Sequence, residues 1–238
     1  VDLMHVNQLV REKGLLSPYH IFVLPGGFTY GDDIAAGKVL ANQLRQQILD
    51  ELTRFIDDGK LIIGICNGFQ VLMKMGLLPE VKGTQTSSSG NKQRFTLTYN
   101  DSNKFEDRWV YLKSASNKSV FVDNDSFMYV PIAHAEGKFV AENQEDIEKL
   151  DKSGQIVFKY VDKDGNMSDY PWNPNGSSDN IAGVCDSTGR VLGMMPHPER
   201  HIDPTQHPRW TREGLKTEGD GIVIFRNAVN YISRTFSS

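Results

Sequence analysis

Apolar and polar positions along this chain switch between two periods. Tyr19–Gly27 ("YHIFVLPGG") is a short apolar run stopped by proline and two glycines, the pattern of a buried strand entering a loop. Over Val39–Ile56 the apolar residues fall at Val39, Leu40, Leu44, Ile48, Leu52, Phe55 and Ile56. That is close to a 3.6-residue repeat and predicts an amphipathic helix, ended by "DDGK". "LIIGI" (Leu61–Ile65) reads as the next buried strand, and from Cys66 the period changes again. Phe69, Leu72, Met73 and Gly76 stand at i, i+3, i+4 and i+7, one face of a helix that stops at Gly76 and Pro79. Strand, helix, strand, helix with short connections predicts an α/β fold with a parallel sheet flanked by helices.

Further on the style changes. "TQTSSSGN" (Thr84–Asn91) is small and polar and reads as a mobile loop. "QRFTLTYN", "DRWVYLKS", "SFMYVPIAH" and "QIVFKYVD" read as strands, with a helix only at about Gln144–Leu150, so an antiparallel extension of the sheet is expected. "DNIAGVCDSTGRVLGMMPH" predicts two strands around a "DSTG" turn. The last helix is predicted over Gly221–Ile232, with Ile222, Phe225, Val229 and Ile232 as its apolar positions. "VDLMHV" reads as an opening strand. A parallel sheet of this kind normally has an earlier strand and helix, so a chain lacking that N-terminal pair is expected. There is no internal repeat, and the pattern is taken as one domain over residues 1–238.

Composition narrows the classes. The net charge is −4 with no basic cluster, which argues against nucleic acid or an anionic membrane as the main partner. No apolar run approaches the ~20 residues a bilayer requires, and no charged segment followed by an apolar stretch suggests a secretory signal. Two cysteines, Cys66 and Cys185, offer neither a disulfide scaffold nor a Cys-x-x-Cys metal pair, so no metal site is expected. A cytoplasmic protein with reduced thiols is the simplest expectation.

The chemistry sits at the period switches. Gly64-Ile65-Cys66-Asn67-Gly68 has the form of a nucleophile on a sharp strand-to-helix turn, with flanking glycines relieving crowding. The helix N-terminus and a nearby base would favour the thiolate, and the Asn67 amide would face a developing oxyanion. By itself the motif fits a buried strand-end cysteine as well. "MMPHPERHIDP" adds His197 between two prolines and Glu199 two positions on. Proline pushes His197 toward an extended conformation, which would set the two side chains on one face as base and orienting acid. Leu24-Pro25-Gly26-Gly27-Phe28 ends a strand with two glycines, whose amides could supply a second oxyanion donor. Cys185 has no partner motif and reads as structural.

"PGGFTYGDD", "GICNGFQVL", "PIAHAEGKF", "NPNGSSDNIAGVCD" and "GRVLGMMPHPER" occur in this order from about Leu24 to the C-terminus. Together they resemble the phosphoribosylformylglycinamidine synthase glutaminase family, within the class I (triad) glutamine amidotransferases. The resemblance implies a flavodoxin-like sheet, with Cys66 as nucleophile, His197 as general base and acid, Glu199 as orienting carboxylate, and Gly27 and Asn67 as oxyanion hole. It implies that Gln70, with Gly26 and Phe28, contacts the substrate glutamine, and that His134 and Glu136 of "AHAEG" lie near its pocket. Ala135 stands where the family pattern has glycine. The resemblance further implies glutamine hydrolysis, with ammonia passed to a formylglycinamidine ribonucleotide synthetase, as a subunit or a domain, that binds ATP and magnesium. This chain has no G-x-x-x-x-G-K-[ST] phosphate loop, so no cofactor is expected in it. Rival readings are a triad amidotransferase serving another synthetase, and a cysteine peptidase or idle relative of similar fold.

Overall fold

A computed structural model of the chain describes residues 1–79 and 93–236. In these the order is α1 (Val6–Arg11), β1 (Ile21–Leu24), α2 (Lys38–Asp57), β2 (Leu61–Ile65), α3 (Asn67–Met75), β3 (Phe95–Thr98), β4 (Glu106–Ser114) and β5 (Phe127–His134). Then follow β6 (Lys138–Ala141), α4 (Gln144–Lys152), β7 (Ile156–Val161), β8 (Ile181–Cys185), β9 (Val191–Met194), α5 (Trp210–Glu213) and α6 (Ile222–Phe236). The predicted Thr84–Asn91 loop lies outside the described residues.

The helix from the 3.6 repeat forms as read: α2 buries Leu40, Ala41, Leu44, Ile48, Leu52 and Phe55 along one stripe. β2 is buried at all five positions because β1 and β9 flank it in the sheet and α3 packs against it. Each such aliphatic side chain contributes about 1.5–3 kcal/mol on leaving water. Truncating one that is fully enclosed, as in Leu52→Ala, would cost about 2–5 kcal/mol because the cavity cannot refill.

Seven strands form one sheet in the order β1-β2-β9-β8-β7-β4-β5. The β1–β2 and β2–β9 pairs are parallel, and the remaining pairs are antiparallel. Both expected parts are therefore present, in a mixed sheet whose antiparallel share is larger than the sequence pattern implied. The "DSTG" hairpin forms, with Cys185 opposite Leu192 and Gly183 opposite Met194.

Three expectations are corrected. "VDLMHV" is not a strand: Val1–His5 has no regular structure, and His5 caps α1 by accepting from the Asn7 N–H at 3.1 Å. β3 does not extend the main sheet but pairs antiparallel with β6, a short strand that lacks a distinct apolar alternation. α6 runs four residues beyond the predicted end, and its buried positions are Ile224 and Ala228, while Val229 is exposed. The face is set by what packs on it, and the i, i+3, i+7 count alone does not choose between adjacent stripes.

The sheet curls. β5 is four strands from β9 in sheet order, yet the His197 N–H just after β9 donates to Pro131 O in β5 at 2.8 Å. Strand twist, with a register irregularity in β7 between Ile156 and Lys159, brings the far edge back to the ends of the parallel strands. Among the described residues no helix is long and apolar enough to cross a membrane.

Candidate active site

Three parallel strands deliver their C-terminal ends to one place, where open α/β sheets generally bind ligands. β1 leads to Gly26 and Gly27, β2 to Cys66, and β9 to His197. Cys66 sits between strand and helix at φ 51°, ψ −106°, a conformation that costs a non-glycine residue about 1–3 kcal/mol. Its N–H donates to Met194 O (2.8 Å) and its C=O accepts the first helical bond from Gln70 N (3.1 Å), so both sides are pinned. The flanking glycines are required by contact. A Cβ on Gly64 would stand 2.6 Å from Leu72 Cδ1, and one on Gly68 would stand 1.9 Å from Leu24 O. The Cys66 Sγ–H points to Ala133 O at 3.6 Å.

His197 Nδ1 and Glu199 Oε1 are 2.6 Å apart, with the imidazole 1% exposed and the carboxylate partly open. The pair forms as predicted, by a different route. Pro198–Arg200 is a 3-10 turn, and His197 (φ −105°, ψ 88°) precedes it, so Glu199 is brought back by the turn and not by strand alternation. Proline at the first position of a helical turn is favoured because its φ is already set. With Nδ1 on the carboxylate, Nε2 is buried and has no partner. Gly26 joins the two groups: a Cβ there would lie 2.6 Å from His197 Cε1 and 3.5 Å from Cys66 Cβ.

Burial pushes the Cys66 thiol up to about 12. The Asn67 N–H and the Arg200 charge pull it down, whereas Glu199 and Asp32 add to the rise. The expected help from the helix N-terminus is thus outweighed by desolvation, and the resting group is a neutral thiol.

The other predicted residues surround this core. Gly27 has φ 145° and open space where a Cβ would be. Asn67 begins α3, and its carboxamide is fully engaged with Thr29, Asp32 and Gln70. Gln70 is committed at both ends, accepting from Asn67 Nδ2 (2.9 Å) and donating to Glu136 O (2.7 Å). The Glu136 carboxylate accepts from Ala36 N at 3.3 Å. His134 is buried next to Ala133, with Nδ1 3.1 Å from Asn100 Oδ1. Asn100 Nδ2 donates to His134 O and Lys104 O, which leaves Oδ1 as the acceptor and puts the His134 proton on Nδ1. Burial first, and the nearby His197 second, pull His134 down to about 3. Phe28 stands apart: it is 64% exposed, its ring 6.2 Å from that of Phe105, at the rim of the site.

Sequence reasoning missed the residues that hold these groups. Thr29 and Asp32 bind the Asn67 side chain, and Asn100 clamps the His134 turn by also accepting from Gly137 N at 3.1 Å. In "NPNGS", Asn175 Nδ2 donates to Gly137 O (2.8 Å) and Ser177 Oγ accepts from Phe139 N (3.0 Å). The available signal was the density of asparagine and serine between apolar runs, since these side chains close turns by bonding main chain.

Comparison with known proteins bears on this constellation. A family model described as CobB/CobQ-like glutamine amidotransferase domain matches residues 1–232. The phosphoribosylformylglycinamidine synthase subunit PurQ of Dehalococcoides mccartyi is 44% identical over 232 residues, covering 97% of this chain and 86% of that protein. The subunit PurQ of Archaeoglobus fulgidus is 44% identical over 245 residues, covering 98% and 88%. Among solved structures, PurLQS from Thermotoga maritima superposes with a TM-score of 0.65 at 32% identity, over 90% of this chain and 80% of that one. A glutamine amidotransferase from Thermotoga maritima, 14% identical with a TM-score of 0.51, shares the fold over the whole of this chain and 86% of its own. The chain belongs to the CobB/CobQ-like glutamine amidotransferase domain family.

Proposed function

We propose that this chain is the glutaminase subunit of phosphoribosylformylglycinamidine synthase. It hydrolyses glutamine to glutamate and passes the ammonia to the ATP-dependent synthetase that makes formylglycinamidine ribonucleotide in purine biosynthesis. The observation that carries the reading is Cys66 held at φ 51° on the strand-to-helix turn, with Gly26 seated against both it and the Glu199-bound His197, in a chain 44% identical to PurQ subunits.

In this reading Glu199 keeps the proton of His197 on Nδ1, so the Nε2 lone pair is the base. Because burial holds the Cys66 thiol neutral, the proton moves to His197 as sulfur attacks the glutamine side-chain amide, and no standing thiolate is needed. The amides of Gly27 and Asn67 receive the oxyanion. The C–N bond breaks as His197 returns its proton to the leaving nitrogen, giving ammonia and a glutamyl thioester. Water, activated by the same imidazole, then releases glutamate and restores the thiol. Gly26, against Cys66 and His197, and Phe28 at the rim face the glutamine, while Gln70, Glu136 and His134, whose side chains are held by Asn67, Ala36 and Asn100, back its pocket. ATP and magnesium belong to the synthetase, and the chain works in the cytoplasm with both cysteines reduced, which fits their being free and buried.

A glutaminase assay with and without the synthetase tests this. Glutamine hydrolysis that requires the partner, and labelling of Cys66 but not Cys185 by a glutamine-mimicking electrophile, are expected. Peptide cleavage without glutamine hydrolysis, or label on Cys185, would remove the reading.

A further inference from the structure

Asn67 enters the proposed mechanism only through its main-chain N–H, a role any residue could fill. Its side chain is held far more tightly than that role demands. It is 1% exposed, and its bonding capacity is used in full. Oδ1 accepts from Thr29 N (3.3 Å) and Thr29 Oγ1 (2.7 Å), while Nδ2 donates to Asp32 Oδ1 (3.3 Å) and Gln70 Oε1 (2.9 Å).

The segment bound in this way is strained. Tyr30 and Asp32 both have φ 54°, on either side of Gly31 at φ 67°. Non-glycine residues stay in the left-handed region only where their surroundings over-determine them. Here the surroundings form a closed circuit. Asp32 Oδ1 also receives Gly37 N (3.1 Å), Glu136 receives Ala36 N (3.3 Å), and Gln70 joins Glu136 O back to Asn67. Gly26 and Gly27 lie at the entrance to this segment, directly after β1.

We infer that the Asn67 carboxamide is a positioning latch, which holds the Thr29–Asp32 turn against the start of α3 so that the Gly27 and Asn67 amides face the same reacting atom. The inference rests on the glutaminase reading. It requires a group that accepts toward Thr29 and donates toward Asp32, which an amide supplies and a carboxylate does not. In Asn67→Asp the bond to Thr29 survives, but a second oxygen meets the Asp32 carboxylate and Gln70 Oε1 with no proton between them. Adding Asp32→Asn removes the charge repulsion. Asp32 Oδ1 serves both Asn67 Nδ2 and Gly37 N, however, so the amide that replaces it either donates to that oxygen or accepts from Gly37, and the circuit is restored only in part.

The test measures kcat and KM for glutamine in the complex with the synthetase, with thermal midpoints recorded alongside. Asn67→Asp is expected to lower kcat about tenfold, with KM changed less than about threefold. The Asn67→Asp/Asp32→Asn double variant is expected to raise kcat about threefold above Asn67→Asp, a partial rescue that lost packing would not give. Thr29→Val, which removes only the hydroxyl bond, is expected to lower kcat about threefold, and Thr29→Ser to leave it unchanged. A double variant no better than Asn67→Asp, or Thr29→Val at the parent kcat, would overturn the latch while leaving the glutaminase reading intact. Should Asn67→Asp fail to fold, the Thr29 pair decides alone. A parent complex that does not hydrolyse glutamine would overturn the reading, and the latch with it.

Discussion

Cys66 and Cys185 are alike in every respect that is usually taken as a sign of reactivity. Both are free and buried, and burial pushes both thiols up to about 12. Their surroundings differ. Cys185 ends β8 in regular pairing opposite Leu192, its N–H on Gln155 O, with the Asp186 charge raising it further. Cys66 ends β2 on a left-handed turn, beside Gly26 and a carboxylate-bound imidazole. A raised thiol pKa therefore separates nothing here. What singles out Cys66 is a backbone that leaves the sheet at a positive φ and a carboxylate-bound imidazole that reaches the same glycine from another strand.

The comparison is broken most directly by removing each sulfur. Cys66→Ala is expected to lower glutamine hydrolysis by at least about 10⁴-fold while ammonia-dependent synthesis by the complex survives. Cys185→Ala is expected to keep kcat within about twofold and lose only stability, about 1–2 kcal/mol by urea unfolding. Next in size is the pH response of alkylation. A thiol whose pKa is raised is neutral below it, so iodoacetamide attack on Cys66 in the free chain is expected to rise about tenfold per pH unit from 7 to 10. Levelling off near pH 8 would show a standing thiolate and contradict the burial argument. Gly26→Ala follows: its Cβ would collide with the His197 ring, 2.6 Å away, and a kcat loss of about 10²-fold is expected while Cys66 stays in place.

The smallest effect concerns His134, which lies beside Ala133, the acceptor of the Cys66 thiol. Its folded pKa, about 3, is below the unfolded value of about 6.5, so between these values the unfolded chain binds the extra proton. Stability should therefore fall as the pH drops below about 6.5, by about 2 kcal/mol at pH 5 from this group. Urea unfolding of His134→Gln at pH 7 and pH 5 should show a correspondingly shallower acid loss, and an unchanged slope would remove His134 as its source.

The sequence was legible where structure is local. β1, α2, β2 and α3 followed from period switches, because each reports its own exposed and buried faces. The His197–Glu199 contact was also legible, since two positions of separation leave few ways to part them, although the 3-10 turn that makes it was not. β6 was unreadable because four residues pairing with β3 at an edge need no apolar alternation. The α6 face was read only in part: Phe225 and Ile232 pack against the core as expected, but its most buried positions are Ile224 and Ala228, and Val229 is exposed. Asn100, Asn175 and the Thr29–Asp32 turn escaped notice because their partners are far away in the chain.

By itself the sequence determined a cysteine at a strand-to-helix turn between two glycines, a histidine with its carboxylate, and the strands that end beside them. Only the tertiary structure decided that the ends of β1, β2 and β9 adjoin, and that the curl of the sheet returns β5 to that point. It also decided that Cys66 is too deeply buried to rest as a thiolate, and that the Asn67 carboxamide closes a circuit through Thr29, Asp32 and Gln70. Local pattern fixes which way a side chain leaves its own segment. Burial and hydrogen-bond partners are properties of contacts between distant segments, and they exist only once the sheet has formed.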